Sequence, residues 1–139
     1  MNYCKILFCT TLWAGVLWTG ATSQAASPEV LQRGEAMYKT LTCFACHGEA
    51  GHGMIRTKDR KKADGSFAYR KGDPMPGFEA YPILAGQPAK YLYTQMMDIF
   101  EGRRANGLSA AMLGIKLMVD TTAQPGDLEA IAEYLSQVR

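Results

Sequence analysis

The chain has 139 residues, 47% of them hydrophobic, and a formal net charge of +2 at pH 7. That length corresponds to one small domain, with only a small hydrophobic core of its own. The near balance of 15 basic and 13 acidic residues gives no excess of the size that binding to nucleic acid requires. We therefore expect no nucleic-acid partner.

The first 25 residues have the order of a secretory signal peptide. Lys5 supplies a positive charge, and the run 6–18 is apolar and uncharged. Ser23 and Ala25 fit the small residues required before a cleavage site, so we predict cleavage after Ala25 and export to the periplasm. The apolar run is shorter than the ~20 residues that span a bilayer, which argues against stable membrane insertion. Residues 26–139 are then the functional domain.

A first helix is predicted to begin at Ser27. This residue is a good N-cap, Pro28 is favoured at the first helical position, and apolar residues recur at helical spacing as far as Leu41. Gly34 lies inside this helix, where it costs about 1 kcal/mol relative to alanine. It is therefore either a point of close approach by another helix or a tolerated glycine.

The stretch that follows, Cys43-Phe44-Ala45-Cys46-His47, reads C-x-x-C-H, the signature of covalent c-type haem attachment. Each thiol can add to one of the two vinyl groups of a haem, and the adjacent imidazole can then bind the iron. Half of a zinc site or a dithiol redox motif would also contain C-x-x-C. However, neither a second Cys or His pair nor a βαβ pattern accompanies it. Loss of the leader would leave this pair as the only cysteines of the mature chain.

A long basic loop, at about residues 51–80, separates this motif from the next apolar segment. It has little periodicity and is interrupted by glycine and proline. Within 54–77 it carries seven basic residues against three acidic ones. Loops of this length tend to be functional or mobile, and the charge run is either a solvated face or a docking patch. The basic residues are Arg56, Lys58, Arg60, Lys61, Lys62, Arg70 and Lys71.

The remaining chain predicts further helices. The segment 81–87 is too short for a helix, and we expect it to be extended across the edge of the haem. Apolar residues at helical spacing predict helices over 88–102 and 127–138, and the Met-containing stretch 109–119 predicts one or two helical turns. No segment alternates as a strand would. The predicted fold class is therefore all-α, with three to five helices wrapped around one covalently bound haem.

Except for the basic loop, the mature chain resembles the small bacterial class I c-type cytochromes. The resemblance rests on C-x-x-C-H, on the P-x-L-A-G-Q segment at 82–87 and on the A-x-A-x-Y-L helix at 130–135. It implies the cytochrome c fold, one haem c, and redox partner proteins: a donor dehydrogenase and an acceptor oxidase or reductase. Gly34 and Tyr134 match the crossing of the first and last helices in that family.

The resemblance also implies roles at the site. Cys43 and Cys46 would form the thioether bonds, and His47 would be the proximal iron ligand. The carbonyl of Pro82 would accept the other N–H of that imidazole and so fix the ring orientation. Leu84 would pack on the haem.

The sixth iron ligand decides between two kinds of function. A methionine ligand gives six-coordinate iron with a raised reduction potential, which suits electron transfer, whereas an open position suits ligand binding or catalysis. The resemblance favours Met112, which opens an M-x-x-I pattern after the Phe-x-Gly-Arg segment at 100–103. Met118 lies at a distance from the last helix that would also serve, so both remain candidates.

The predicted function is that of a periplasmic one-electron carrier, not of an enzyme. One alternative is a cytochrome c subunit of a larger periplasmic oxidoreductase, with the basic loop as its permanent interface. Another is a haem-based ligand-binding or sensor protein with a vacant or labile sixth position. We accordingly expect either a monomer or a subunit of a complex.

Overall fold

A computed structural model describes residues 26–139, and the predicted signal peptide, residues 1–25, lies outside these described residues. The described part is mainly helical, which confirms the all-α fold class. Three helices of 11 to 13 residues form the frame, and three shorter ones connect them. The helices are α1 (Pro28–Thr40), α2 (Phe44–His47), α3 (Ala89–Phe100), α4 (Ser109–Leu113), α5 (Lys116–Thr122) and α6 (Asp127–Gln137).

Side chains define the starts of the first and last helices. The hydroxyl of Ser27 accepts a hydrogen bond from the N–H of Val30, as expected of an N-cap. At the start of α6, the buried carboxylate of Asp127 accepts hydrogen bonds from the N–H of Gln124 at 2.6 Å and from Nε of Arg33 at 2.5 Å. Because Arg33 belongs to α1, this ion pair joins the two helices as well as ordering the turn before α6.

Helices α1 and α6 cross at Gly34. A Cβ atom placed on Gly34 would lie 2.0 Å from the carbonyl oxygen of Ala130 and 2.8 Å from Cβ of Tyr134. Both separations are shorter than van der Waals contact, so only glycine lets the two backbones approach this closely. The interpretation of Gly34 as a point of close approach is thus confirmed, and Tyr134 is its predicted neighbour.

The buried core joins these two helices to α3. Its members are all buried, and Tyr38 from α1, Leu92 and Ile99 from α3, and Ile131 and Leu135 from α6 are no more than 4% exposed. The three long helices therefore share one hydrophobic cluster. Within residues 26–139, no helix has both the length and the apolar character needed to cross a bilayer.

The apolar stretch predicted to form one or two helical turns is a pair of short helices, α4 and α5, separated by Gly114 and Ile115. Helix α5 extends to Thr122, beyond the predicted limit at residue 119. It buries Val119 in the core. The hydroxyl of Thr121 donates a hydrogen bond to the carbonyl of Leu117, four residues earlier in the same helix, at 2.8 Å.

The basic loop contains an antiparallel hairpin, so the prediction that no segment forms a strand was wrong here. Strand β1 (Arg60–Lys61) pairs with strand β2 (Phe67–Tyr69), and the register of the pairing shifts between Arg60 and Lys61. A strand is recognised in a sequence by alternation of apolar and polar residues over about four to eight residues. These strands could not show it, because they have only two and three residues, nearly all exposed. The turn between them is held locally, because the carboxylate of Asp64 accepts hydrogen bonds from the N–H and the hydroxyl of Ser66.

We predict that Gly34→Ala lowers the free energy of unfolding by about 1–3 kcal/mol, because a methyl group at the crossing must push α1 and α6 apart. Denaturant unfolding of the haem-loaded protein measures this change. The matched control is Gln32→Ala on the exposed face of the same helix, which should change stability by no more than about 0.5 kcal/mol. Equal stabilities of the two variants would contradict the close approach.

Candidate functional site

A cavity of about 380 Å³ lies between the helices and the C-x-x-C-H motif. Its walls are mainly apolar and include the core side chains of α1, α3 and α6. Residues that sequence reasoning selected from three separate segments meet in this wall. They are Cys43, Cys46, His47, Pro82, Leu84 and Met112.

Helix α2 places the two thiols on one side of a single helical turn. Cys43 precedes the helix with helical backbone angles, and Cys46 lies three residues later, the spacing at which side chains share a face. Both are half-buried free thiols. Burial raises the pKa of the Cys43 thiol to about 11, so it is protonated at neutral pH.

The imidazole of His47 is buried and has a defined tautomer. Its Nδ1 lies 3.0 Å from the carbonyl oxygen of Pro82, the contact that the family resemblance implies. A carbonyl only accepts hydrogen bonds, so Nδ1 carries the proton and Nε2 keeps a lone pair for a metal ion. Burial lowers the pKa of His47, which favours the neutral form that binds metals. The ring of Tyr81 meets the imidazole edge-on, with 6.3 Å between ring centroids.

The segment after Pro82, residues 83–87, is held in place by backbone hydrogen bonds to two other parts of the chain. The N–H groups of Leu84 and Ala85 donate to the carbonyl of Gly51 at 2.8 and 3.1 Å, and the N–H of Gly86 donates to the carbonyl of Leu135 at 2.9 Å. The segment contains no helix, as predicted. These bonds join it to the loop after His47 and to α6. They therefore hold the Pro82 carbonyl in position against the imidazole.

Tyr38 lies within the run of apolar residues at helical spacing that predicts the first helix, but that spacing does not show the role of its hydroxyl. The side chain is 1% exposed, and its hydroxyl donates a hydrogen bond of 2.8 Å to the carbonyl of Gly48. Burial raises the pKa of Tyr38, and a negative charge on Cys43 would raise it further. A tyrosine at a core position is the available sequence signal, because a buried hydroxyl requires a partner.

The two candidate methionine ligands differ in position. Met112, on α4, lines the cavity and packs against the core. Met118, on α5, is 38% exposed and lies outside the cavity wall. Sequence reasoning treated Met96 only as part of the apolar face of α3, yet its side chain also lines the cavity. Helical periodicity places a methionine on an apolar face without telling whether that face surrounds a cofactor.

The donor set fits a haem better than a protein-only metal centre. Two thiols, an imidazole with an available nitrogen and a thioether surround an apolar space. Among residues 26–139, no three His, Cys, Asp or Glu side chains lie close enough together to hold a metal ion. A shallower groove of about 570 Å³ between α1 and α6 has no thiol, imidazole or thioether in its walls.

Comparison with known protein families also indicates a haem site. The model of the family described as Cytochrome c matches residues 31–139 of the chain. The chain belongs to the cytochrome c family. Members of this family carry covalently bound haem c, so haem c is the cofactor of this cytochrome. The predicted resemblance and cytochrome c fold are confirmed.

The chain is also similar to the cytochrome c4 of Azotobacter vinelandii. The two sequences are 27% identical over 122 residues, which cover 82% of this chain and 46% of the relative. The chain thus spans about half the length of the curated relative that it matches. This similarity supports the family membership, and the activity of the whole relative is not transferred with it.

We predict that Tyr38→Phe lowers the free energy of unfolding by about 1 kcal/mol, because the buried carbonyl of Gly48 loses a donor. Denaturant unfolding of the haem-loaded protein measures this loss. Tyr91→Phe is the matched control, since Tyr91 is 50% exposed and the variant keeps its ring in the cavity wall, and it should be neutral. A Tyr38→Phe variant as stable as this control would show that the hydroxyl has no such role.

Proposed function

We propose that this cytochrome is a periplasmic one-electron carrier whose haem is attached through Cys43 and Cys46 and bound by His47 and Met112. The observation that carries the proposal is the convergence of these four side chains on one apolar cavity. The periplasmic location rests on the predicted leader, cleaved after Ala25, and on the attachment of c-type haem outside the cytoplasm.

In this proposal, Pro82 orients the proximal ligand. Haem iron supplies reversible one-electron chemistry when it is bound. The carbonyl of Pro82 accepts the Nδ1 proton of His47, which fixes the imidazole and raises the basicity of Nε2. Because the segment after Pro82 is hydrogen-bonded to Gly51 and Leu135, we expect this orientation to be kept in both oxidation states.

The apolar wall tunes the site through burial. Leu84 and the core side chains of α3 and α6 line the cavity and would shield a bound haem from water. Low polarity disfavours the oxidation state with the larger net charge, and burial is one of the ways in which a protein sets a haem potential. A site built to hold its ligands and exclude water suits electron transfer better than turnover of a substrate.

Position in the wall supports Met112 over Met118 as the sixth ligand. Met112 contacts the core and lines the cavity, whereas a Met118 ligand would require α5 to turn an exposed side chain inward. That rotation would expose Val119, the next residue, which is buried in the core. Met96 lines the cavity from the longer and more regular α3 and serves as the control for a methionine that only packs.

We predict that Met112→Ala abolishes the methionine–iron charge-transfer absorption of the oxidised protein, because the thioether bond to iron is lost. The reduced variant should then bind carbon monoxide stoichiometrically, whereas the wild type should resist it. Met118→Ala and Met96→Ala should keep both wild-type properties. Loss of the absorption in Met118→Ala alone would show that Met118 is the sixth ligand. Carbon monoxide binding by the wild type would favour the sensor alternative.

One observation favours the alternative of a subunit in a larger periplasmic oxidoreductase. Leu117 is 74% exposed on α5, and Leu113 and Met118 beside it are exposed as well. An apolar surface of this kind is typical of a permanent interface. Sedimentation of the natively purified protein separates the two functions, because a carrier is a monomer and a subunit sediments with its complex.

A further inference from the structure

The basic loop forms an ordered projection, here called the basic hairpin and defined as residues 54–75. Its base is closed by a hydrogen bond of 2.9 Å from the N–H of Met75 to the carbonyl of Met54, and by a bridge between Ile55 and Pro74. Seven basic and three acidic residues give it a net charge of +4. Since the whole chain carries +2, the remainder is net negative. The molecule therefore has a marked charge asymmetry.

The acidic side chains of the hairpin do not neutralise its basic ones. The carboxylate of Asp59 accepts from the N–H of Lys71 at 2.6 Å, that of Asp73 accepts from the N–H of Arg70 at 2.7 Å, and that of Asp64 accepts within its own turn. Every ion pair among residues 26–139 lies outside the hairpin. The aspartates thus shape the backbone and leave seven positive side chains available.

Aromatic rings hold several of these positive side chains in place. The guanidinium of Arg56 lies 3.8 Å from the ring centroid of Tyr69. The guanidinium of Arg70 and the ammonium of Lys61 lie 4.5 and 5.3 Å from that of Phe67. Cation–π contacts order a charged side chain without cancelling its charge. Side chains ordered in advance lose less conformational entropy when a partner binds.

The base of the hairpin is close in the chain to His47, the proximal ligand, and to Pro82, whose carbonyl orients it. On one side, the N–H of Gly53 donates to the carbonyl of His47 at 2.7 Å. On the other side, the turns of residues 75–81 lead to Tyr81, whose ring meets the imidazole, and then to Pro82. The segments that flank the two ends of the hairpin therefore lead to His47 and to Pro82, the two partners in the hydrogen bond between Nδ1 and the carbonyl.

An apolar side chain marks this place on the surface. Ile83 follows Pro82, is 58% exposed, and would lie 3.3 Å from a Cβ atom on Gly53. Ile55, at the base of the hairpin, is also exposed. Apolar contacts bordered by charge are the usual composition of small, transient protein interfaces. Ile83 is joined to Pro82 by a peptide bond, and the carbonyl of Pro82 is hydrogen-bonded to the imidazole of His47. A partner that contacts Ile83 is therefore only a few bonds away from the imidazole.

We propose that the basic hairpin docks an acidic surface of a redox partner protein and places that partner over Ile83, beside the hydrogen bond between His47 and Pro82. The inference rests on the proposed carrier function and names the chemistry of its partner. An anionic lipid surface fits less well. Phe67 and Tyr69 are the aromatic side chains that would enter a bilayer, and positively charged side chains lie over their rings.

Two variants with the same loss of charge test the proposal. The hairpin variant combines Lys61→Gln, Lys62→Gln, Arg70→Gln and Lys71→Gln. The control variant combines Lys39→Gln, Lys90→Gln, Lys116→Gln and Arg139→Gln, all outside the hairpin. Oxidation of each reduced, haem-loaded protein is followed by stopped-flow absorption, with trianionic hexacyanoferrate(III) and with tricationic tris(phenanthroline)cobalt(III) as oxidants.

At low ionic strength, the hairpin variant should react with hexacyanoferrate(III) roughly three- to tenfold more slowly than the wild type, and faster with the cobalt complex. The control variant should change either rate by less than about twofold, because its charges lie outside the hairpin. Equal rate changes in the two variants would overturn the docking site. A wild type that failed to cycle reversibly by one electron would instead overturn the carrier function.

Two binding measurements identify the class of partner. On immobilised polyglutamate, the hairpin variant should elute at lower salt than the control variant, and equal elution would contradict an acidic protein partner. With vesicles of equal parts phosphatidylglycerol and phosphatidylcholine, the wild type should not sediment at physiological salt. Sedimentation that is lost in the hairpin variant alone would assign the hairpin to lipid and overturn the proposal.

Discussion

The hydrogen bond between Nδ1 of His47 and the carbonyl of Pro82 is the contact on which the rest of the site depends. It joins two segments separated by the entire basic loop, and it assigns the proton to one imidazole nitrogen. The loop around Gly51 and the end of α6 hold the carbonyl in place through backbone hydrogen bonds. The orientation of one side chain is therefore determined by the tertiary structure as a whole.

The crossing of α1 and α6 provides the frame for that contact. Gly34 lets the two backbones approach closely, and this approach sets the distance between Tyr38 and Leu135, which both line the cavity. The same helices position the motif, because α1 leads directly into α2 and the hydroxyl of Tyr38 binds the carbonyl of Gly48. A small chain can in this way surround a large apolar cofactor with few long helices.

Local chemistry made much of the fold and the site predictable. Ser27 specifies the start of α1 through a short-range hydrogen bond, and the C-x-x-C-H motif needs only one helical turn to present its thiols on one side. Gly34 was informative because a glycine inside a helix has an energetic cost that requires a reason. These features are encoded within a few residues of where they act.

What the sequence left open depended on tertiary packing. The strands of the basic hairpin are too short to show alternation, and their residues are nearly all exposed. Met112 and Met118 have similar neighbours in the sequence, and only the arrangement of α4 and α5 shows which of them lines the cavity. The partner of the Tyr38 hydroxyl is likewise visible only once α1 packs against the loop after His47.

The central claim is that one haem is covalently held by Cys43 and Cys46 in the cavity between the helices. Mass spectrometry of the denatured protein, produced with functional haem-attachment machinery, tests it most directly. We expect the mass of a chain that begins at Ala26 plus one haem, and a double Cys43→Ala, Cys46→Ala variant with the mass of the polypeptide alone. A wild-type polypeptide that loses its pigment on denaturation would contradict the account.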